Sequence, residues 1–279
     1  MDKIKVSEIF YSAQGEGRFI GVPSVFFRTF GCNFKCPGFG LPTGQKTTEP
    51  DDIGAKVHLY KSFMDLPLAQ TGCDSYASWH PAFKDLSPMV EVEGLAKDIV
   101  ATLPFGAWRD EHLVITGGEP LLGWQRAFPD LLEQPDMRGC KDITFETNGT
   151  MRLTEKFKEY LSMRSGHTEF TFSVSAKLPA SGEPWKDAIK PKVVVDYENY
   201  GHVYLKFVVA TEDDIQDALK ATQEYRDAGF QGPVYLMPVG GVESVYSLNN
   251  KAVALAAMKH GLRYSDRLQV PLFKNEWGT

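Results

Sequence analysis

From about Ser87 onward the chain alternates short apolar runs with stretches of helical periodicity, and no other feature constrains its fold as tightly. Residues 88–102 carry Val92, Leu95, Ala96 and Ile99 at helical spacing. His112–Thr116 reads as a short strand ending in Gly117-Gly118, followed by helical character over 124–134. A strand at 142–146, a helix near 154–163, a strand at 169–174 and an apolar β-run at 203–209 continue the pattern. A helix over 212–228, with Thr211 as N-cap and Gly229 as stop, precedes a strand at 233–237, a helix at 249–260 and a strand at 267–272. Repeated strand–helix units demand a parallel sheet with right-handed crossovers. About six units give an α/β fold, either a partial barrel or an open doubly wound sheet. Binding groups then belong on the loops beyond the C-terminal ends of the strands.

Residues 37–86 break this rhythm with ten prolines and glycines, from Pro37 and Gly38 to Gly72 and Pro81, and a weak hydrophobic pattern. A long irregular stretch inside a compact domain is functional or disordered. We read residues 37–72 as an insertion between two ligand-bearing loops of one domain spanning 1–279. The chain of 279 residues needs no disulfide staples, and 24% charged with 43% hydrophobic residues excludes a disordered or low-complexity protein. Thirty basic against 36 acidic side chains give a net charge of −6, a poor match for nucleic acid or an anionic membrane. No apolar run reaches the ~20 residues of a membrane span, and Met1–Lys5 does not open a signal peptide. A soluble cytoplasmic protein is expected.

Four cysteines without a secretory signal do not form a disulfide framework. Cys32 and Cys36 share a loop, with Gly31, after the apolar strand 24–30; Cys73 sits in a second glycine-flanked loop; Cys140 stands alone before a strand and is expected to be structural. Thiolates converging on such loops suit a metal or an iron–sulfur cluster. Ordinary buried thiols are the plain alternative, and zinc the other, which normally takes a fourth ligand such as His58 or His80. Further polar groups recur at strand ends: Thr116-Gly-Gly-Glu119-Pro120, Glu146-Thr-Asn-Gly149, Ser173–Pro179 and Met237-Pro238-Val-Gly-Gly241. Arg28, in an otherwise apolar strand, needs a carboxylate or phosphate partner from the protein or a substrate.

Taken in order, Ile9–Gly17, Phe-Phe-Arg28, Gly31–Cys36, Cys73–Trp79, Thr116–Pro120, Glu146–Gly149, Ser175-Ala-Lys177 and Met237-Pro238 resemble the 7-carboxy-7-deazaguanine synthase (QueE) family of radical S-adenosylmethionine lyases. The resemblance covers nearly the whole chain outside the insertion. It implies a partial (β/α)6-type barrel and a homodimer. Cys32, Cys36 and Cys73 would hold a 4Fe–4S cluster, leaving one iron open to S-adenosylmethionine. Asp74, Gly118, Glu119, Glu146, Ser175, Lys177, Met237 and Pro238 fall in elements that bind that cofactor. Ala13, Gln14, Gly15, Arg28 and Thr116 match positions that hold 6-carboxy-5,6,7,8-tetrahydropterin, with Arg28 on its carboxylate, and Ser75 matches a Mg²⁺ ligand. The product would be 7-carboxy-7-deazaguanine, in queuosine-type biosynthesis, with a flavodoxin-like electron donor. Rival readings are another radical enzyme, such as a glycyl-radical activase, and a zinc-binding protein on the same scaffold. Three departures stand out: Phe39 occupies the usual third cysteine position, Ala176 replaces proline, and Gln269–Gly278 matches the family ending only loosely, so no substrate contact is carried over from it; serine for threonine at 75 is chemically mild. Lengthening the cysteine loop by about four doublings costs only ~2–3 kcal/mol, so the ligand set survives the insertion.

Overall fold

The structure, a computed structural model, describes residues 2–279, with the side chains of 243–249 outside the description. β1 (Lys3–Ala13) and β2 (Pro23–Thr29) form an antiparallel hairpin, and β3 (Met89–Glu91) pairs antiparallel with the other edge of β1. β4 (His112–Gly117), β5 (Asp142–Thr147), β6 (Glu169–Val174), β7 (His202–Val209), β8 (Val234–Pro238) and β9 (Arg263–Tyr264) continue in parallel from β2. The order β3-β1-β2-β4-β5-β6-β7-β8-β9 leaves β3 and β9 as unpaired edges, so the sheet is a partial barrel that does not close. No helix among the described residues is long and apolar enough to cross a membrane.

Alternation along the strands decides what each face does. Val25, Phe27, Leu113, Ile115, Ile143, Phe145, Phe172, Leu205, Phe207 and Leu236 pack into the main core. That core lies between the sheet and a helix layer that includes α2 (Val92–Ala101), α3 (Phe128–Leu132), α4 (Glu155–Arg164) and α7 (Glu212–Asp227), numbered after α1 (Glu49–Gly54) in the insertion. Their neighbours point to the opposite face, which carries charged and polar side chains such as Arg28, Glu146 and Lys206 beside a small apolar cluster of Phe10, Phe26 and Val114. Register pairs Arg28 with Thr116, Glu146 with Ser173, and Lys206 with Tyr235. The strand pattern thus carries two messages at once, an apolar outer face for the helices and a reactive inner one.

Most expected elements form at the expected places. Thr211 caps α7 through a reciprocal pair: its hydroxyl accepts from Asp214 N–H at 3.2 Å, and Asp214 accepts from Thr211 N–H at 2.9 Å. Three readings need correction. Residues 88–102 open with β3 before the helix begins at Val92, and 124–134 contains only the short α3. The segment 267–272 is not a strand; α9 (Gln269–Phe273) lies there, with Pro271 in the first turn where its missing N–H costs nothing. Two short helices, α5 (Trp185–Ala188) and α6 (Pro191–Tyr197), went unread because neither is long enough to display a period. α8 (Glu243–Lys259) completes the set.

His112, at the start of β4, is buried with its Nε2 2.8 Å from Thr144 Oγ1 and its ring 4.4 Å from that of Phe19. Burial pushes its pKa down to about 4. A histidine depressed on folding stabilises the native state fully above ~6.5 and loses that contribution as pH falls toward the folded value. Melting temperature should therefore fall between pH 7 and pH 4, with ~2–3 kcal/mol assignable to this group, and His112→Gln should flatten that part of the curve. An unchanged curve in the variant would exclude His112 as the titrating group.

Candidate active site

The sequence from Gly31 to Cys36 is held by three other loops. Gly31 N–H donates to Ser78 at 2.7 Å, tying this loop to the one that carries Cys73. Glu119 N–H donates to Gly31 at 2.8 Å, and Gly118 packs so closely that a Cβ there would lie 2.3 Å from the Gly31 carbonyl oxygen. Gly117 has φ +134°, a conformation that disfavours any side chain. Those two glycines let β4 deliver its backbone against the cysteine loop. On the far side, Glu183 Oε1 accepts from both Lys35 N–H at 2.9 Å and Cys36 N–H at 2.8 Å. Cys36 itself has φ +47°, a strained value for a side chain with a Cβ, and this carboxylate clamp holds it there.

The long insertion returns to its own starting point. Gly72 N–H donates to the Phe39 carbonyl at 2.8 Å, and Thr47 N–H to Pro37 at 2.9 Å, so the segment closes on a narrow neck. Cys73 therefore emerges beside the position that an uninterrupted loop would have given residue 39. Cys32, Phe34, Cys36, Phe39, Cys73 and Ala188 pack as one cluster. Burial pushes the thiols up, Cys32 to about 12, Cys73 to about 11 and Cys36 well above its ordinary value, while Lys177 pulls all three back. The buried indole N–H of Trp79 has no hydrogen-bond partner and lies beside Cys73, whose thiolate it favours. Unpaired donor, nearby ammonium and three converging sulfurs fit a metal-bound thiolate set, since iron supplies the positive charge that burial withholds. Among the described residues no three of His, Cys, Asp and Glu form a group able to hold a single metal ion. His80 is committed to Asp51 at 3.0 Å and to Ala82 N–H at 3.3 Å, and His58 is exposed. Neither offers zinc a fourth ligand.

The same cavity continues along the inner face of the sheet. Arg28 Nε donates to Glu8 Oε2 at 3.1 Å and Nη1 to Ser75 Oγ at 3.0 Å; the protein itself meets part of that guanidinium's demand. Glu146 accepts from Thr116 Oγ1 at 3.0 Å and from Gln14 Nε2 at 3.3 Å. Gln14 in turn accepts from Glu16 N–H at 3.0 Å. Glu16 then meets Lys206, Arg267 Nε at 3.1 Å and Gln269 Nε2 at 2.9 Å. Burial would raise Glu16, but Lys206 and Arg267 outweigh it and hold its pKa at about 2. Burial likewise opposes the low value of Asp74, which Arg267 imposes through a direct hydrogen bond. Arg267 also donates to the Gly240 carbonyl, so one guanidinium joins three walls of the cavity. Glu8 Oε1 and Gln269 Oε1 are buried acceptors without a hydrogen-bond partner, both on residues that line it.

Fifteen of the residues expected from the sequence line this one cavity: Ala13, Gln14, Gly15, Arg28, Cys32, Cys36, Cys73, Asp74, Ser75, Thr116, Gly118, Glu146, Ser175, Lys177 and Met237. Two do not. Pro238 is buried within β8, and Glu119 is fully buried with its carboxylate occupied by Thr147 Oγ1 at 2.8 Å, Asn148 N–H at 2.6 Å and Leu121 N–H at 3.1 Å. Glu119 buckles two strand ends together and does not face the cavity. Glu146 sits with Gln14 and Thr116, the group expected to hold the pterin, and not with the cofactor set. Glu16, Lys206, Arg267 and Glu183 were missed. Lys206 alone left a signal, a charge inside the apolar run 203–209, the same signature that singled out Arg28.

Removing the Glu183 clamp tests the cysteine loop. Glu183→Ala should lower iron incorporation on anaerobic reconstitution, since two hydrogen bonds to a carboxylate are worth roughly 1–3 kcal/mol here. Glu183→Gln, which keeps an acceptor oxygen, should recover most of it. Normal iron content in the alanine variant would show that the loop holds its shape unaided.

No family model matches the chain. It is 30% identical to a 7-carboxy-7-deazaguanine synthase of Halobacterium salinarum, over 98% of this chain and 91% of that protein. It is 26% identical to proteins of the same name from Rhodopirellula baltica, covering 98% of this chain and 88% of that protein, and from Pyrobaculum aerophilum, covering 99% and 97%. Among solved structures it is similar to QueE from Escherichia coli, at 20% identity and a TM-score of 0.53, covering 94% of this chain and 93% of that one, which supports the fold. With a thiol cluster at one end of the cavity and charged strand residues along its length, the chain belongs to the 7-carboxy-7-deazaguanine synthase family.

Proposed function

We propose that this chain converts 6-carboxy-5,6,7,8-tetrahydropterin into 7-carboxy-7-deazaguanine with loss of ammonia, as a radical S-adenosylmethionine enzyme. One observation carries the reading: three converging thiols open into the same cavity as a guanidinium and several carboxylate and amide acceptors. When bound, a 4Fe–4S cluster on Cys32, Cys36 and Cys73 supplies the electron for reductive cleavage of S-adenosylmethionine and hence a radical for hydrogen abstraction at C6 of the pterin. Everything else is positioning. Arg28, already oriented by Glu8, presents its guanidinium to the substrate carboxylate. Glu146, fixed by Thr116 and Gln14, has lone pairs left for the N–H-rich aminopyrimidine edge, and the unpartnered Glu8 Oε1 and Gln269 Oε1 suit the same class of donor. Gly118, Ser175, Lys177, Asp74 and Met237 are assigned to S-adenosylmethionine.

Residues 1–279 are read as one radical S-adenosylmethionine domain, with 37–72 inserted in its cluster-binding loop. Mg²⁺ on Ser75 fits less well than the family resemblance implies. The Ser75 hydroxyl is 3.3 Å from Asp74 Oδ1, an oxygen pair that suits the ion, but Arg28 Nη1 already donates to that hydroxyl at 3.0 Å. A divalent cation there has to displace the guanidinium. A one-electron donor of flavodoxin type, a homodimer and a cytoplasmic location complete the proposal on the strength of the resemblance. No specific observation favours the activase or zinc alternatives.

The direct test is anaerobic turnover of reconstituted protein with 6-carboxytetrahydropterin, S-adenosylmethionine and a reductant, read by mass spectrometry. A product lighter by ammonia is expected. Arg28→Ala should raise the pterin KM by ~10–100-fold, the equivalent of ~1.5–3 kcal/mol, while S-adenosylmethionine binding holds. Formation of 5′-deoxyadenosine with the pterin untouched would overturn the substrate assignment.

A further inference from the structure

Segment 37–72 is the feature of the sequence to which the proposed reaction gives no work. It builds a small core of its own, apart from the main one: Ile53, Phe63, Leu66 and Ala69 pack with Tyr76, Ala77 and Phe83 from beyond Cys73. Tyr76 OH donates to the Pro67 carbonyl at 2.7 Å and stacks edge-on against Phe83 at 5.3 Å. Tyr60, Trp79 and Trp277 pack against this core, and Trp277 comes from some 200 residues away. Trp277 sits edge-on to Phe63 at 4.9 Å and to Tyr76 at 5.9 Å, and its Nε1 donates to the Leu66 carbonyl at 2.8 Å.

The chain is bent to reach that place. After α9, Lys274 and Asn275 take φ +55° and +57° in succession, the left-handed conformation of a helix C-cap, and turn the chain there. Asn275 Nδ2 then donates to the Gly241 carbonyl at 3.0 Å. Gly241 packs against Ala69 of the insertion and against Asp74; a Cβ at Gly241 would lie 3.4 Å from the Ala69 carbonyl oxygen and 3.3 Å from Asp74 Cβ. Leu68, Ala69, Asn275 and Trp277 all line the cavity. Insertion, closing segment and the Gly240-Gly241 turn therefore meet around Asp74.

We propose that segment 37–72 is a socket for residues 274–279 of the same chain, and that Trp277, seated in it, is a positioning residue for the cavity wall at Asp74 and Gly240-Gly241. A passive loop would bury its aromatics with its own residues; in this one Phe63, with Tyr76 beside it, also packs against the far end of the chain. Seating links the two ends of the site's sequence, since Arg267, two residues before α9, holds Asp74 and Gly240 from the other side. The consequence is felt in ligand binding and not in the chemical step. The inference rests on the proposed reaction only for the identity of the two ligands.

The test uses full-length, reconstituted protein with Trp277→Ala, Trp277→Phe and Asn275→Ala. Hydrogen exchange of residues 274–279 reads seating without any ligand, and equilibrium dialysis reads S-adenosylmethionine affinity whether or not the pterin is the true substrate. Trp277→Ala should lose exchange protection in 274–279, and either the S-adenosylmethionine Kd or the pterin KM should rise by about tenfold or more with kcat changed less than about threefold. Trp277→Phe keeps a ring against Phe63 and Tyr76 and should recover most of the affinity. Asn275→Ala should weaken binding in the same sense with iron content intact. If 274–279 exchanges freely in Trp277→Ala while Kd and KM match the wild type, the proposal fails. It fails equally if Trp277→Ala only loses iron and Asn275→Ala binds both ligands normally.

Discussion

Three thiols can share one cluster only if their backbones converge, and here that convergence depends on a neck in which Gly72 N–H meets the Phe39 carbonyl. Thirty-six residues leave the loop after Cys36 and come back to Phe39, three residues past that cysteine. Closing a loop of that length costs little entropy beyond what a short one costs, because the penalty grows only with the logarithm of length. What matters is that the return point is defined. The neck defines it from inside, Ser78 through Gly31 defines it from the other cysteine loop, and Glu183 fixes Cys36 opposite. Each contact involves backbone, so placement of the three thiols is insensitive to most of the side chains that the insertion carries.

The second dependency is electrostatic. Glu16, Lys206, Arg267 and Asp74 bring four formal charges into a largely buried space. Taking an ion pair out of water costs more than its attraction returns unless geometry is good and remaining hydrogen bonds are met. Here each charge touches at least one of opposite sign, and Gln269 and the Gly240 carbonyl take up further valences. Such a network is a weak source of net stability and a strong source of specificity, because removing one member leaves the others buried and uncompensated. It ties the loop after β1 to the residues around α9 and to the cysteine-bearing loop, three parts far apart in sequence. Those are the parts a ligand must find in fixed relation.

Much of this was legible in the order of residues. Glycine pairs after apolar strands and cysteines on glycine-flanked loops announce where backbones end and ligands begin, and Arg28 is conspicuous because a cation in an apolar strand needs a partner. Lys206 carries the same mark, yet its partner Glu16 lies 190 residues away, and nothing local connects them. Arg267 was hidden by reading 267–272 as a strand, where Val270 and Leu272 mimic alternation in what is a single turn of helix. Glu183 was illegible for a different reason: its partners are the N–H groups of Lys35 and Cys36, and backbone donors leave no trace in side-chain identity. Glu119 misled in the opposite direction, since a carboxylate beside exposed-looking glycines turned out to face inward and serve the scaffold.

The proposed chemistry requires an open iron held by Cys32, Cys36 and Cys73. The most direct measurement is the electron paramagnetic resonance spectrum of the reduced, reconstituted protein before and after addition of S-adenosylmethionine. A 4Fe–4S signal whose g-values move when S-adenosylmethionine is added is the predicted result, because a three-thiolate site leaves one iron for the ligand. A cluster signal indifferent to S-adenosylmethionine, or protein that takes up no iron at all, would contradict it.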